Sequence, residues 1–278
     1  MMKLFPILIL FITCQEPKSS EQQPVVNEWD KEGWTLVWND EFDGTVLNLE
    51  KWSYEIGGHG WGNNELQYYS DDDSTAFIRD GKLVLRADLV PQGTGSADNL
   101  RYFSSARLRT YGKGDWRYGR IEVKAKMALG QGIWPAIWML PTEWMYGGWP
   151  ESGEIDIMEH VGYDPGRVHG SIHTGSYNHK INTQRGGSQL LDKISSKFYV
   201  YAIEWYEDRI DFLIDDAKYF SFQNDGKNDF NTWPFNQRFH LLINIAVGGD
   251  WPGSPDETTQ FPTEMEVEYV RVYEKIQP

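Results

Sequence analysis

Three carboxylates stand close together in Gly153-Glu154-Ile155-Asp156-Ile157-Met158-Glu159-His160, interleaved with large apolar residues. Alternation of this kind marks a strand with one buried face. Aligning like charges on a strand face is unfavourable, so the pattern asks for a chemical reason. Parity sharpens the question: Glu154 and Asp156 share a face of a regular strand, whereas Glu159, five residues on from Glu154, falls on the other. One extra residue at Ile157-Met158, a β-bulge, restores the phase and turns all three acids into the same space. Two carboxyl groups about 5–5.5 Å apart across a sugar–sugar bond are the apparatus of a retaining glycosidase. Neighbouring carboxylates do not both ionise readily, so one should keep its proton near neutral pH and act as the acid. Which of the two it is does not follow from the spacing.

The elements that must hold these acids are strands. Arg120 to Met127 places Ile121, Val123, Ala125 and Met127 on one face and Arg120, Glu122, Lys124 and Lys126 on the other. Further runs are predicted at 82–89, 104–109, 200–206, 209–214, 218–222, 240–247 and 265–273, separated by Gly, Asn, Asp and Pro. No run sustains a 3.6-residue period. Many short strands with turn signals between them predict an all-β sandwich or barrel, and 278 residues suffice for one large domain of that class.

Residues 1–13 read as an export signal: Lys3 precedes an apolar run from Leu4 to Ile12 that is too short to span a bilayer. The run ends at Cys14, the only cysteine, so the exported domain has no intramolecular disulfide. Phe11-Ile12-Thr13-Cys14 is similar to a lipobox, which predicts a lipid anchor on Cys14 and attachment to a bacterial outer membrane or cell surface. Residues 14–29 are polar and aperiodic, a tether, and 30–276 form the folded domain. The net charge of −15 argues against nucleic acid and polyanionic sugars and favours a neutral polysaccharide. Thirteen Trp residues exceed what a core of this size requires and are suited to stacking on sugar rings.

Around the acidic strand lie Gly132-Ile133-Trp134-Pro135-Ala136-Ile137-Trp138-Met139-Leu140-Pro141 and Gly170-Ser171-Ile172-His173-Thr174; Trp38-Asn39-Asp40-Glu41-Phe42-Asp43 stands near the start and Ala246-Val247-Gly248-Gly249 near the end. On these motifs and E-x-D-x-x-E the chain resembles glycoside hydrolase family 16, in particular its laminarinase-like endo-β-1,3-glucanases, from about Trp34 to Tyr273. The resemblance implies a β-jelly-roll sandwich of two curved antiparallel sheets with a concave substrate cleft. It implies Glu154 as nucleophile, Glu159 as general acid/base and Asp156 as a helper to the nucleophile. Trp134, Trp138, Arg109 and the Asn63-Asn64-Glu65 turn are expected to meet the sugar, His173 to lie beside the acid/base, and Trp149 and Trp251 to line the rims. It implies no cofactor for catalysis, but a structural calcium held by Glu41, the Gly81 carbonyl and Glu268, where relatives usually carry Asp. The expected substrate is a neutral β-glucan, cut by a monomer. Mixed-linkage glucanases and agar- or carrageenan-type galactan hydrolases share the scaffold, and non-catalytic glucan-binding relatives lack one or both glutamates. The specialised lichenases resemble E-x-D-x-E without the insertion.

Overall fold

The computed structural model describes residues 1, 29 and 31–276. The export signal apart from Met1, Cys14 and nearly all of the tether lie outside the described residues. In chain order the strands begin with β1 (Trp34–Asp40), β2 (Ser53–Tyr54), β3 (Gln67–Tyr69), β4 (Ala76–Ile78), β5 (Leu83–Thr94) and β6 (Arg101–Ser105). They continue with β7 (Arg107–Arg109), β8 (Gly119–Lys126), β9 (Ile133–Pro141), β10 (Glu154–His160), β11 (Arg167–His173) and β12 (Arg185–Leu190). The last are β13 (Tyr199–Trp205), β14 (Arg209–Ile214), β15 (Ala217–Gln223), β16 (Phe239–Val247) and β17 (Thr263–Lys275). The only helical pieces among the described residues are two short 3₁₀ turns.

These strands stack as two sheets of a jelly-roll sandwich. The back sheet runs β15-β14-β13-β8-β17-β5-β6-β3, with β1 added on β17 and β4 on β5. The front sheet runs β12-β11-β10-β9-β16-β7-β2. All strand pairs are antiparallel except β3 with β6, which are parallel. Between the sheets lies one core, to which the back sheet gives Val123, Trp205, Phe212 and Val270 and the front sheet Ile137, Ile155, Met158 and Ile243.

One expectation changes. The run 104–109 is not one strand: Ser104 and Ser105 pair with β5 and β3 in the back sheet, whereas 107–109 pair with β16 in the front sheet. The buried Ala106 marks the crossing, which alternation does not reveal because both halves keep the same period. On β8 the charged face is not solvated throughout. Arg120 and Glu122 are 3% and 0% exposed, because the side chains of Lys31, Glu204 of β13 and Tyr273 of β17 pack on that face. Their charges close on themselves: Arg120 Nε donates to Glu122 Oε2 at 2.9 Å and Nη1 to Glu204 at 3.0 Å, and Nη2 meets Asp216. Lys31 Nζ lies 2.9 Å from Glu122, and the Tyr273 hydroxyl donates to Glu122 at 3.2 Å.

The motif at 38–43 serves the fold. Asp40 accepts hydrogen bonds from Trp52 Nε1 at 2.8 Å and from the Phe42 N–H at 3.2 Å, closing β1 against the first loop.

Candidate active site

β10 carries a bulge where parity requires one. Against β9, Asp156 pairs with Trp138 and Met158 with Ile137, which leaves Ile157 as the extra residue. Against β11, Glu154, Asp156 and Glu159 stand opposite His173, Ser171 and His169, three consecutive same-face positions. The bulge therefore sends all three acids outward, while Ile155, Ile157 and Met158 enter the core. Gly153 delivers the chain into β10 at φ +89°, and a Cβ there would come within 2.8 Å of Pro234, so no larger residue fits.

The outer face of the front sheet forms a cleft of roughly 960 Å³. Its floor is Glu154, Asp156 and Glu159, flanked by Trp134, Ala136 and Trp138 of β9, His169, Ser171 and His173 of β11, and Asn244 of β16. Indole N–H groups hold the two glutamates: Trp149 Nε1 donates to Glu154 at 3.1 Å and Trp134 Nε1 to Glu159 at 3.1 Å. Trp138 Nε1 is fixed by Asn244 at 2.7 Å. Trp251 packs edge-on against both Trp134 and His169, and Trp149 packs against His173 and His179. His173 Nε2 sits 3.2 Å from Asp156 Oδ2 and 3.7 Å from Glu154 Oε1. It is thus beside Glu154 and Asp156, not beside Glu159 as the resemblance implied.

Of the Asn pair, Asn63 lines the cleft. Asn64 instead donates to Asp250 at 2.8 Å, tying this turn to the loop after β16. That loop turns at Gly248, φ +68°, where a Cβ would strike the Leu66 side chain at 2.5 Å. Arg109 is not at the cleft: its guanidinium pairs with Glu55 at 2.6 Å and lies over Tyr111. The arginine that lines the cleft is Arg107, two residues earlier on β7, sandwiched between Trp61 and Trp138 at 4.5 and 4.6 Å and paired with Glu55. Strand parity places both arginines on one face and does not say which lies nearer the acids.

Other cleft residues were not anticipated. His169 and Ser171 could have been found by stepping back from His173 in twos along β11. His59, Trp61 and His179 sit in loops, short turns or next to them, where no periodicity points to them. Glu65 is buried under Gln67 and Tyr69, which donate to it at 2.6 and 3.2 Å.

The calcium expectation meets a different arrangement. Glu41 is gripped through both oxygens by Arg271, each bond 2.8 Å, and Glu268 accepts from Lys124 at 2.8 Å. Calcium takes six to eight oxygen ligands, whereas the two carboxylates that would supply the charge are already neutralised by cations of the chain. This donor set does not fit the ion.

Burial pushes the carboxyls of Glu154, Asp156 and Glu159 up to about 8, and the Asp156 charge adds to the effect on both glutamates. In the unfolded chain such groups ionise near pH 4. Between about pH 4 and 8 the folded protein therefore binds more protons than the unfolded one, and stability falls as pH rises across that window. Asp156→Asn, which cannot ionise, is expected to raise Tm over wild type at pH 8 and to differ little at pH 4. Thermal melts at the two pH values check this, and an equal shift at both would contradict it.

Comparison with known proteins places this geometry. The family model of glycosyl hydrolases family 16 matches residues 60–271. A beta-glucanase of Rhodothermus marinus is 49% identical over 249 residues, covering 86% of this chain and 85% of that protein. The X-ray structure of the laminarinase from Rhodothermus marinus superposes with a TM-score of 0.81 at 45% identity, over 88% of this chain and 98% of that one. SCLam, a non-specific endo-β-1,3(4)-glucanase, superposes at 0.82 with 41% identity, over 89% and 93% of the two chains.

Proposed function

The chain belongs to glycosyl hydrolases family 16, and from that premise we propose that it is an endo-hydrolase of β-1,3-glucan that acts with retention of configuration. The observation that carries this reading is the phasing of β10, which brings Glu154 and Glu159 to one floor of an open cleft walled by tryptophans. An open trough accepts the interior of a polymer, and flat indoles suit the C–H faces of pyranose rings.

Glu154 attacks the anomeric carbon while Glu159 gives its proton to the departing glycosidic oxygen. The C–O bond to the leaving sugar breaks as the ester to Glu154 forms. Esterification removes the charge on Glu154, and the carboxyl of Glu159, now an anion, takes a proton from the incoming water as the water oxygen bonds to the anomeric carbon and the ester breaks to release Glu154. Trp149 and Trp134 fix the two carboxyl groups through their N–H donors. His173 Nε2, 3.7 Å from Glu154 Oε1, favours an ionised Glu154, while the charge of Asp156 opposes it. No cofactor enters these steps.

Proton NMR of the first products from laminarin should show the β-anomer at the new reducing end before mutarotation; an initial α-anomer would sink double displacement. Product analysis on laminarin, lichenan, agarose and κ-carrageenan in parallel tests the substrate. Cleavage of laminarin alone, or of laminarin with lichenan, fits a β-glucan site with narrow or broad linkage tolerance. Cleavage confined to the galactans would overturn the glucan assignment, and binding without cleavage would make the protein a recognition module.

We further propose export and lipid attachment at Cys14, supported by the apolar run that precedes it. In cells of the source organism, Cys14→Ser is expected to move the protein from the membrane to the soluble fraction. Unchanged fractionation would mean that the anchor lies elsewhere.

A further inference from the structure

Glu154, Asp156 and His173 bring one potential ligand atom each to within 4.8 Å of one another, the only such trio of His, Cys, Asp or Glu side chains among the described residues. We propose that this trio is a binding site for a zinc-type divalent ion, which shuts the cleft by occupying the carboxylates at its floor. The inhibition rests on the catalytic reading above; the binding does not.

Zinc bound by nitrogen and oxygen at about 2.0–2.2 Å in a tetrahedron sets neighbouring ligand atoms about 3.3–3.6 Å apart. The His173 Nε2 separations of 3.2 Å to Asp156 Oδ2 and 3.7 Å to Glu154 Oε1 bracket that range. The ligands need no assembly, because Glu154 and His173 are direct partners across the β10–β11 ladder. Asp156 points independently to a cation. Its side chain is 4% exposed, yet Oδ2 accepts no hydrogen bond. A buried carboxylate oxygen without a partner is costly, and a divalent ion satisfies it while cancelling the repulsion between the two acids.

The imidazole makes the site selective. Calcium and magnesium prefer six or more oxygen ligands, whereas zinc, cobalt and copper accept a nitrogen in a small coordination sphere. His173 Nδ1, which must carry the ring proton when Nε2 binds metal, has no acceptor. Ligating histidines normally have one, so the affinity should be micromolar rather than tighter.

Titration calorimetry of the full chain with zinc chloride should give one ion per chain, and Co²⁺ should produce the visible absorption of a four-coordinate site. Calcium and magnesium should give no heat. His173→Gln and Asp156→Asn are each expected to weaken zinc binding more than about tenfold, with near-ultraviolet circular dichroism showing that the fold is kept. His169→Gln and Glu159→Gln, which alter the far side of the cleft, should retain it. Zinc should slow hydrolysis over the same concentrations at which it binds. The proposal falls if millimolar zinc gives no binding, if a folded His173→Gln or Asp156→Asn binds as wild type, or if His169→Gln abolishes binding. Zinc binding by a chain that cleaves no β-glucan would leave the metal site standing and remove the assigned reaction instead.

Discussion

Glu154→Gln and Glu159→Gln are each expected to lower kcat on laminarin on the order of a thousandfold or more, the scale on which a positioned acid–base group contributes. Each swap is nearly isosteric and removes a titrating group that burial already disfavours, so folding and oligosaccharide binding should survive. The two losses should differ in kind. A nitrophenyl leaving group departs without a proton, so Glu159→Gln should still form the covalent ester from a nitrophenyl β-glucoside oligomer and then stall at hydrolysis. Rapid release of one equivalent of nitrophenol, followed by slow turnover, is the expected trace. Glu154→Gln lacks the attacking oxygen and should show no burst. If both variants behave alike, or the burst appears in Glu154→Gln, the roles of the two residues are misassigned or exchanged.

The second large effect is on stability and lies on the opposite sheet. Arg120→Ala leaves Glu122, fully buried, with only Lys31 and the Tyr273 hydroxyl for company. Breaking a buried ion pair from one side costs about 3–5 kcal/mol, which for a domain of this size lowers Tm by about 10 °C. Arg120→Met with Glu122→Leu removes both charges and should recover most of the loss. A double variant no more stable than Arg120→Ala would show that the arginine acts through its packing rather than its charge. Neither change touches the cleft, so kcat at a temperature well below the transition should hold.

Much of the site was legible because strand parity is a strict rule. The interval from Glu154 to Glu159 demands one inserted residue, and Ile157 is that residue. Trp134 and Trp138, four apart, share the cleft face for the same reason. Parity was silent where position along a face matters, and so Arg109 was expected where Arg107 stands. It was silent again at Asn63 and Asn64, since backbone turns send adjacent side chains apart by dihedral angles that composition does not encode. The division of 104–109 between two sheets escaped because the hydrophobic period is unbroken while the partner strands change. The buried charges of β8 escaped because alternation reports chemistry, not cover. Arg120 and Glu122 look like a solvent face until the side chains of Lys31, Glu204 and Tyr273 pack over them.

The bulge in β10 also makes the strand insensitive to a change of length that other strands cannot absorb. Loss of one residue from an ordinary strand inverts every side chain beyond it. Loss of Ile157 would instead convert Glu-Ile-Asp-Ile-Met-Glu into Glu-Ile-Asp-Met-Glu, a regular strand whose three acids still face the cleft and whose Met and His still face inward. The protein would give up one buried isoleucine, on the order of a few kcal/mol, and keep the orientation of its chemistry. Bulged and unbulged forms of this strand are thus one deletion apart in descent, with no inactive intermediate required between them.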